Sequence, residues 1–309
     1  MEGGIRMGIS ALFSAVTRWN FSAIRQSLLA DKYCPEDRDD LLSSGLAAVI
    51  IEAMIQDSIP DGRRSLVQLA VTITMVACCA PAVALDIPAK HHAWGRFQPG
   101  SWVRLRETLL SVGADGKETI HSTTVTIIRL EHVDADGVTL GREVTLGDGE
   151  PTASSAALGW DGLPRDVERA TKLSLGEIKI GGITFICQTH VLKTRDEEGA
   201  TTETKWFYCP DRSPYLLKRI ARTEGEAKRF VSFEVLELGV PRQVLGQERS
   251  AAKFSLIENT AQRSSKGTGY LVDEVPGGLV EFEAEIRDSG KEGRLHRRRV
   301  VLEAYEVAQ

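Results

Sequence analysis

The chain has 309 residues, with 38 Lys and Arg against 43 Asp and Glu and a formal net charge of −5. Apolar residues make up 42% and charged residues 26%, which is enough apolar side chain for a core and excludes a wholly disordered chain. No basic excess exists to neutralise phosphates, so no nucleic-acid partner is expected, and a single long uncharged stretch excludes a polytopic membrane protein.

Residues 1–53 form an N-terminal extension. Ile9 to Leu29 and Leu41 to Ile55 read as helices, separated by an acidic linker from Asp31 to Asp40 that holds Pro35. Next comes the uncharged run Ser65 to Ala84, directly after Arg63 and Arg64. It ends in Pro81-Ala82-Val83-Ala84, a helix breaker followed by a small-x-small site. A basic start, a short apolar middle and an A-x-A exit are the parts of a secretory signal peptide. Initiation at Met54 makes 54–84 the signal, with cleavage between Ala84 and Leu85, and leaves 1–53 outside the mature protein. A retained membrane anchor is the alternative. Lipid attachment at Cys78 is another, because Met75-Val76-Ala77-Cys78 is an imperfect lipobox. Contact with a membrane is expected only through an uncleaved signal or lipidation.

From Leu85 to Gln309 the texture is that of one exported β domain. Apolar and polar residues alternate in short runs broken by turn residues, the mark of half-buried antiparallel strands. Val103, Leu105 and Leu109 alternate with Arg104, Arg106 and Thr108; Val280, Phe282, Ala284 and Ile286 alternate with Glu281, Glu283, Glu285 and Arg287. Further strands are expected over 123–133, 138–146, 183–193, 202–209, 215–222, 229–238, 252–259 and 297–307. One helix is expected over 164–172, opened by Pro164 at a favourable first-turn position. Gly147 to Leu163, rich in Gly, Ala, Ser and Pro, reads as a loop or flap. About ten meandering strands of this kind bend into an open half-barrel or curved sheet.

An internal repeat supports the meander. Tyr208-Cys209-Pro210-Asp211-Arg212-Ser213-Pro214-Tyr215-Leu216-Leu217 aligns at an offset of 62 with Tyr270-Leu271-Val272-Asp273-Glu274-Val275-Pro276-Gly277-Gly278-Leu279, so that Tyr, Asp, Pro and Leu coincide. Pro99-Gly100-Ser101-Trp102-Val103 resembles the end of the second copy. Pro ends the preceding segment and Gly permits a tight turn into a new strand.

Cleavage after Ala84 leaves two cysteines, Cys187 and Cys209, on consecutive strands joined by a turn centred on Glu198. In an antiparallel hairpin they oppose each other, close enough for a disulfide, which an exported chain can keep. Two small buried thiols are the alternative.

No nucleophile elbow, zinc helix, C-x-x-C pair, phosphate loop or dinucleotide turn occurs. No catalytic residue, metal ligand or cofactor is therefore assigned. Asp134-Ala135-Asp136-Gly137 has the look of a calcium loop, but Val138 fills the next ligand position and an ordinary turn explains it. His91-His92 reads as part of a mobile tail, and the other histidines as surface strand positions. Arg297, Arg298 and Arg299 face Glu281, Glu283 and Glu285 within one hairpin, so cross-strand ion pairs are expected. Aromatics concentrate in and near the repeat. Trp102, Trp206, Tyr208, Tyr270 and Phe282 are the candidate lining of a ligand cavity, with core packing as the alternative.

The signal, the meander of about ten strands and the short helix-plus-loop segment resemble the periplasmic lipoprotein-localisation proteins, in architecture over roughly 94–307. The stretches Trp206-Phe207-Tyr208-Cys209-Pro210-Asp211 and Asp273-Glu274-Val275-Pro276-Gly277-Gly278-Leu279-Val280 resemble uncharacterised exported bacterial proteins. The first resemblance implies an open half-barrel that cups an acyl chain; the second implies no activity, and no functional residue is carried over from either. The expected protein is a non-catalytic component of the periplasm or cell envelope that binds a lipid, an acylated peptide or another envelope protein in a concave sheet. Two alternatives stand beside it: an interaction module with a filled core, and an enzyme assembled only in three dimensions from Asp211, Asp273 and a histidine.

Overall fold

The computed structural model of the chain describes residues 87–165, 171–195, 200–225, 228–290 and 294–309. The extension, the uncharged run and the Ala84–Leu85 cleavage position lie outside the described residues. Among the described residues, no helix is long and apolar enough to cross a membrane.

A 3-10 turn, Ala89–His91, precedes thirteen strands: β1 Trp102–Val112, β2 Glu118–Val133, β3 Gly137–Leu146, β4 Thr152–Gly159, β5 Thr171–Ile180, β6 Ile183–Arg195, β7 Thr201–Tyr208, β8 Leu216–Thr223, β9 Arg229–Val244, β10 Gln247–Thr260, β11 Arg263–Leu271, β12 Leu279–Asp288 and β13 Leu295–Glu306. They make one sheet in the order β4-β3-β2-β1-β13-β12-β11-β10-β9-β8-β7-β6-β5, antiparallel throughout. All chain neighbours but one pair are sheet neighbours, and one further pair joins strands far apart in the chain. β1 pairs with β13, and β4 and β5, consecutive in the chain, are the two free edges. The sheet is therefore an open antiparallel meander, as its alternating pattern predicts.

The alternation puts one set of side chains on an inner face. Val280, Phe282, Ala284 and Ile286 of β12 are buried, as are Arg298, Val300 and Leu302 of β13. On β11 the inner positions include Gly267 and Gly269, where a Cβ would come within 2.6 Å of Phe282 and Phe254 side-chain atoms. These two glycines let the Phe254 and Phe282 rings stack at 5.8 Å across β11, the close approach for which a strand uses glycine. The outer face carries the expected ion pairs. Arg299 meets Glu283 at 3.4 Å and Arg297 meets Glu285 at 3.9 Å, in the register that pairs those residues.

Three stretches depart from their expected form, one of them β11, Arg263–Leu271, where no strand is expected. The 147–163 flap contains β4, an edge strand of small residues held by its pairing with β3 from Val144↔Thr152 onward; pairing overrides weak strand propensity there. The helix expected over 164–172 is corrected at both ends. Pro164 bridges to Leu158, and Thr171 and Lys172 open β5 by pairing with Leu192 and Val191.

The described part of the segment after β4, 160–165, makes contacts on two flanks of the sheet. Leu163 is fully buried against Leu192 of β6 and Trp206 of β7. Two residues on, the Arg165 Nη1 donates to Asp134 Oδ2 at 2.8 Å in the β2–β3 turn. Side-chain packing on one flank and an ion pair on the other thus tie this segment to β6 and β7 and to the β2–β3 turn.

Candidate functional site

The inner face of the sheet lines a partly open cavity of about 260 Å³. Its walls are built mostly from apolar side chains: Val103, Leu105, Ile128 and Leu140 on one flank, Phe233, Phe254 and Leu256 on the other. A strap over 87–97 covers the mouth, contributing Ile87, His91, His92, Trp94 and Arg96 to the lining.

The strap is held by the two copies of the repeat. Between β7 and β8, the Cys209 N–H donates to Tyr215 O (2.7 Å), Arg212 N–H to Cys209 O (3.3 Å) and Tyr215 N–H to Arg212 O (2.7 Å). Between β11 and β12, Val272 N–H donates to Gly278 O (2.8 Å), Val275 N–H to Val272 O (3.2 Å) and Gly278 N–H to Val275 O (2.9 Å). These are the same three bonds at an offset of 63, so the repeat is real but its structural register is one residue from the 62 that identical letters favour. In that register Tyr215 (φ 57°) stands where the second copy has Gly278 (φ 79°). A left-handed conformation costs a non-glycine residue about 1–2 kcal/mol. It holds the Tyr215 ring flat against His91, with centroids 3.9 Å apart and planes 16° apart.

Each turn grips the strap differently. At the first, His91 stacks on Tyr215 and its Nδ1 hydrogen-bonds the Tyr208 hydroxyl. At the second, Gly277 N–H donates to Ala93 O at 3.1 Å, Arg96 Nη2 donates to Asp273 Oδ1 at 3.1 Å, and the Trp94 indole lies so close that a Cβ on Gly277 would come within 2.9 Å of it. His91-His92 is thus part of a docked strap and not a mobile tail. Burial, with the nearby Arg96 cation, pushes His92 down to about 4. Burial also lowers His91, reinforced by Lys90 and Arg96 and opposed by Asp211. Both imidazoles are neutral at pH 7.

Of the five aromatics expected to line a cavity, Trp206 and Tyr208 lie on its wall. The other three lie elsewhere. Trp102 turns outward and donates its Nε1–H to Glu306 at 2.9 Å. Tyr270 lies under the Arg242 guanidinium, 4.2 Å from its ring centroid. Phe282 is packed into the core on Phe254. Of the acids of the enzymatic alternative, Asp273 lines the cavity and Asp211 lies outside its lining. Asp273 is taken up by Arg96, and Asp211 is felt by His91.

The disulfide is corrected: Cys187 and Cys209 are free, buried thiols. The β6–β7 register pairs Gln188 with Tyr208 and so brings the two cysteines opposite each other, as their spacing predicts. Each Sγ instead faces a main-chain carbonyl of β6 at 3.8 Å, Phe185 O for Cys187 and Ile186 O for Cys209. They pack as small hydrophobes with Ile178, Leu217 and Val235. Burial and the neighbouring Cys209 push the Cys187 thiol up to about 12.

Buried polar groups on the inner face escape the sequence reading. His190 is 2% exposed, not a surface position, and sits opposite Trp206. Arg298 is buried and bonds Glu107 at 2.6 Å. Arg219 lies on the cavity wall, 5.9 Å from the Trp206 ring centroid. Desolvation lowers it to about 10, with Asp161 opposing, so it stays charged at neutral pH. All sit at inward positions of their strands, and the alternation rule assigns the inward face without saying which inward polar residue meets a void.

No family model matches the chain, and no curated protein does. Two solved structures are similar to it. A candidate exported protein with a YmcC-like fold from Bacteroides fragilis NCTC 9343 is 14% identical over 68% of this chain and 97% of its own, with a TM-score of 0.28. A protein of unknown function of the DUF3598 family from Nostoc punctiforme PCC 73102 is 11% identical over 72% of this chain and 100% of its own, with a TM-score of 0.19.

Proposed function

We propose that this chain is an exported, non-catalytic binding protein of the periplasm or cell envelope, and that the cavity under the strap takes the apolar part of a lipid, an acylated peptide or a lipoprotein. The carrying observation is the cavity itself: about 260 Å³ lined mostly by apolar strand residues and flanked by one short segment. An apolar void inside a folded sheet forgoes dispersion contacts on its lining, and an apolar occupant restores them. Ligand sites characteristically combine apolar walls with a few placed polar groups, here Arg219, Asp161 and the strap histidines. Export is supported by the signal-like run at 65–84, and the likeness to lipoprotein-localisation proteins agrees with the open antiparallel meander.

The strap supplies a route of entry. Among the described residues it is tied down by a few side chains and one backbone bond rather than by a ladder, so it can lift while the sheet stays folded. The test is the thermal midpoint of delipidated protein (residues 85–309) with fatty acids, lysolipids and acylated peptides. The expected outcome is a concentration-dependent rise, as ligand binding to the folded state requires. No shift with any of them, together with an unaltered tryptophan emission, would reject the reading in favour of a filled interaction module.

A further inference from the structure

The charged groups on the cavity wall are balanced and already engaged by the protein. The described lining carries two guanidinium groups, Arg96 and Arg219, and two carboxylates, Asp161 and Asp273, so its formal charges cancel. Arg96 Nη2 meets Asp273 Oδ1 at 3.1 Å. Arg219 and Asp161 have partners as well, and Asp161 Oδ1 accepts the Leu163 N–H at 3.0 Å. The strap imidazoles are neutral at pH 7 and committed. His91 Nδ1 bonds the Tyr208 hydroxyl, and His92 Nδ1 accepts the Trp94 N–H at 3.3 Å. The Trp160 indole donates to Ala135 O at 2.8 Å. Most of the remaining lining is hydrocarbon, Val103, Leu105 and Leu256 among it. An ion drawn against this wall gives up hydration and finds no uncommitted counter-charge among the described residues, so its burial is unfavourable. An ester, amide or alcohol gives up far less.

We propose that the cavity selects an uncharged amphiphile, a hydrocarbon chain carrying an ester, amide or alcohol, and that the Arg96–Asp273 pair enforces this by cancelling charge beside the strap. The proposal rests on the binding reading above and adds the charge class of the ligand. Both members of the pair line the cavity, yet they belong to separate elements. Arg96 is on the strap, and Asp273 is in the turn between β11 and β12. Docking the strap therefore brings the two signs together on the wall. Alone, Asp273 would favour a cationic head and Arg96 an anionic one; paired, they favour neither. An ionic ligand keeps its head in water by withdrawing part of its chain. About two methylenes withdrawn lower the affinity about tenfold.

The experiment measures displacement of an apolar fluorescent dye from the delipidated protein at neutral pH. Four probes share one alkyl chain length and stay below their solubility and micelle limits: dodecanol, methyl dodecanoate, dodecanoate and dodecylammonium. The expected result is that the alcohol and the ester bind about tenfold tighter than either ion, with the two ions within about threefold of each other. Asp273→Asn should raise the ratio of anion to cation affinity about threefold, and Arg96→Gln should lower it by a similar factor, the scale of a partly exposed ion pair. Ratios that move together in the two variants, or not at all, overturn the role of the pair. An ion of either sign that binds the unaltered protein as tightly as the alcohol overturns the selection for neutral ligands and leaves the cavity reading standing. Failure of all four probes to displace the dye overturns both. The comparison among probes needs no variant, so a poorly folding substitution does not spare the proposal.

Discussion

Trp94 is the largest anchor of the strap, and replacing it with alanine measures how the roof is held. It is 6% exposed and lies against Gly277 at the second turn. A tryptophan buries about 150–250 Å², which at about 25 cal/mol/Å² is roughly 4–6 kcal/mol. A compact denatured state lowers this by about 10–40%, to about 2–5 kcal/mol, which overlaps the range of about 3–5 kcal/mol for Trp→Ala in cores. Where that energy appears depends on cooperativity. If strap and sheet unfold together, the urea midpoint falls by the full amount. If the strap opens alone, the sheet midpoint barely moves and amide exchange speeds up over 91–97, including the Gly95 and Phe97 N–H groups that bond His92 O and Trp94 O. In both cases a solvatochromic apolar dye gains access to the cavity. Trp102→Ala is the control: its indole is on the outer face with Glu306, and about 1 kcal/mol or less is expected. An unchanged urea midpoint together with unchanged exchange over 91–97 in Trp94→Ala would refute the roof.

Gly277→Ala should loosen the same roof from the other side. The residue has φ 74° and its new Cβ would come within 2.9 Å of the Trp94 indole, whereas Gly278→Ala, at φ 79° with nothing nearer than 3.7 Å, incurs only the left-handed strain of about 1–2 kcal/mol; the first variant should therefore exchange faster over 91–97 than the second. Strap closure should also depend on pH. His92 has a lowered pKa when docked, about 4 against 6.5 free, so the open strap binds more protons; closure is fully favoured above pH 6.5 and is lost as pH falls towards 4. Dye access measured from pH 7 to pH 4 should rise in that window, and a flat profile would contradict the docking of His92. Finally, Cys187 and Cys209 should resist iodoacetamide at pH 8 in the native protein and react fully in urea. Both are buried, and burial pushes the Cys187 thiol up to about 12, so little thiolate, the reactive form, is present.

The parts of the fold legible in the sequence are those that local chemistry determines. Alternation locates β1, β2, β3, β12 and β13 because half-buried strands write their faces into every second residue. Ion pairing of Arg297 and Arg299 with Glu285 and Glu283 follows from hairpin register alone. β4 and β5 are not legible. Thr152–Gly159 is made of small residues whose strand state comes from β3, and Thr171–Lys172 takes its state from Leu192 and Val191 on β6; neither partner is readable from the segment itself. The candidate site is half legible for the same kind of reason. Trp206 and Tyr208 share the inward phase of β7, and the cavity lies on that side. Trp102 has the outward phase of β1, visible in its alternation with the buried Val103 and Leu105, and that phase sets it apart from the lining.

The repeat shows how sequence identity and structural role separate. At an offset of 62, Tyr, Asp and Pro coincide; at 63, all three turn hydrogen bonds coincide. The register that survives is that of the backbone, because the turn closes through N–H and C=O groups that every residue carries, while its side chains are free to serve the strap. Tyr208 supplies the hydroxyl that bonds His91 and Tyr215 the ring that stacks on it. Their counterparts at 63, Leu271 and Gly278, instead give an apolar wall and, with Gly277, room for Trp94. One turn geometry thus makes two unlike jaws, one aromatic and hydrogen-bonding, the other open and apolar. That asymmetry fits a strap presenting histidine at one point and tryptophan three residues later. A strap released by acid should therefore let go first at Tyr215, where the grip depends on a neutral imidazole, and last at Gly277, where it depends on buried apolar area that protons do not alter.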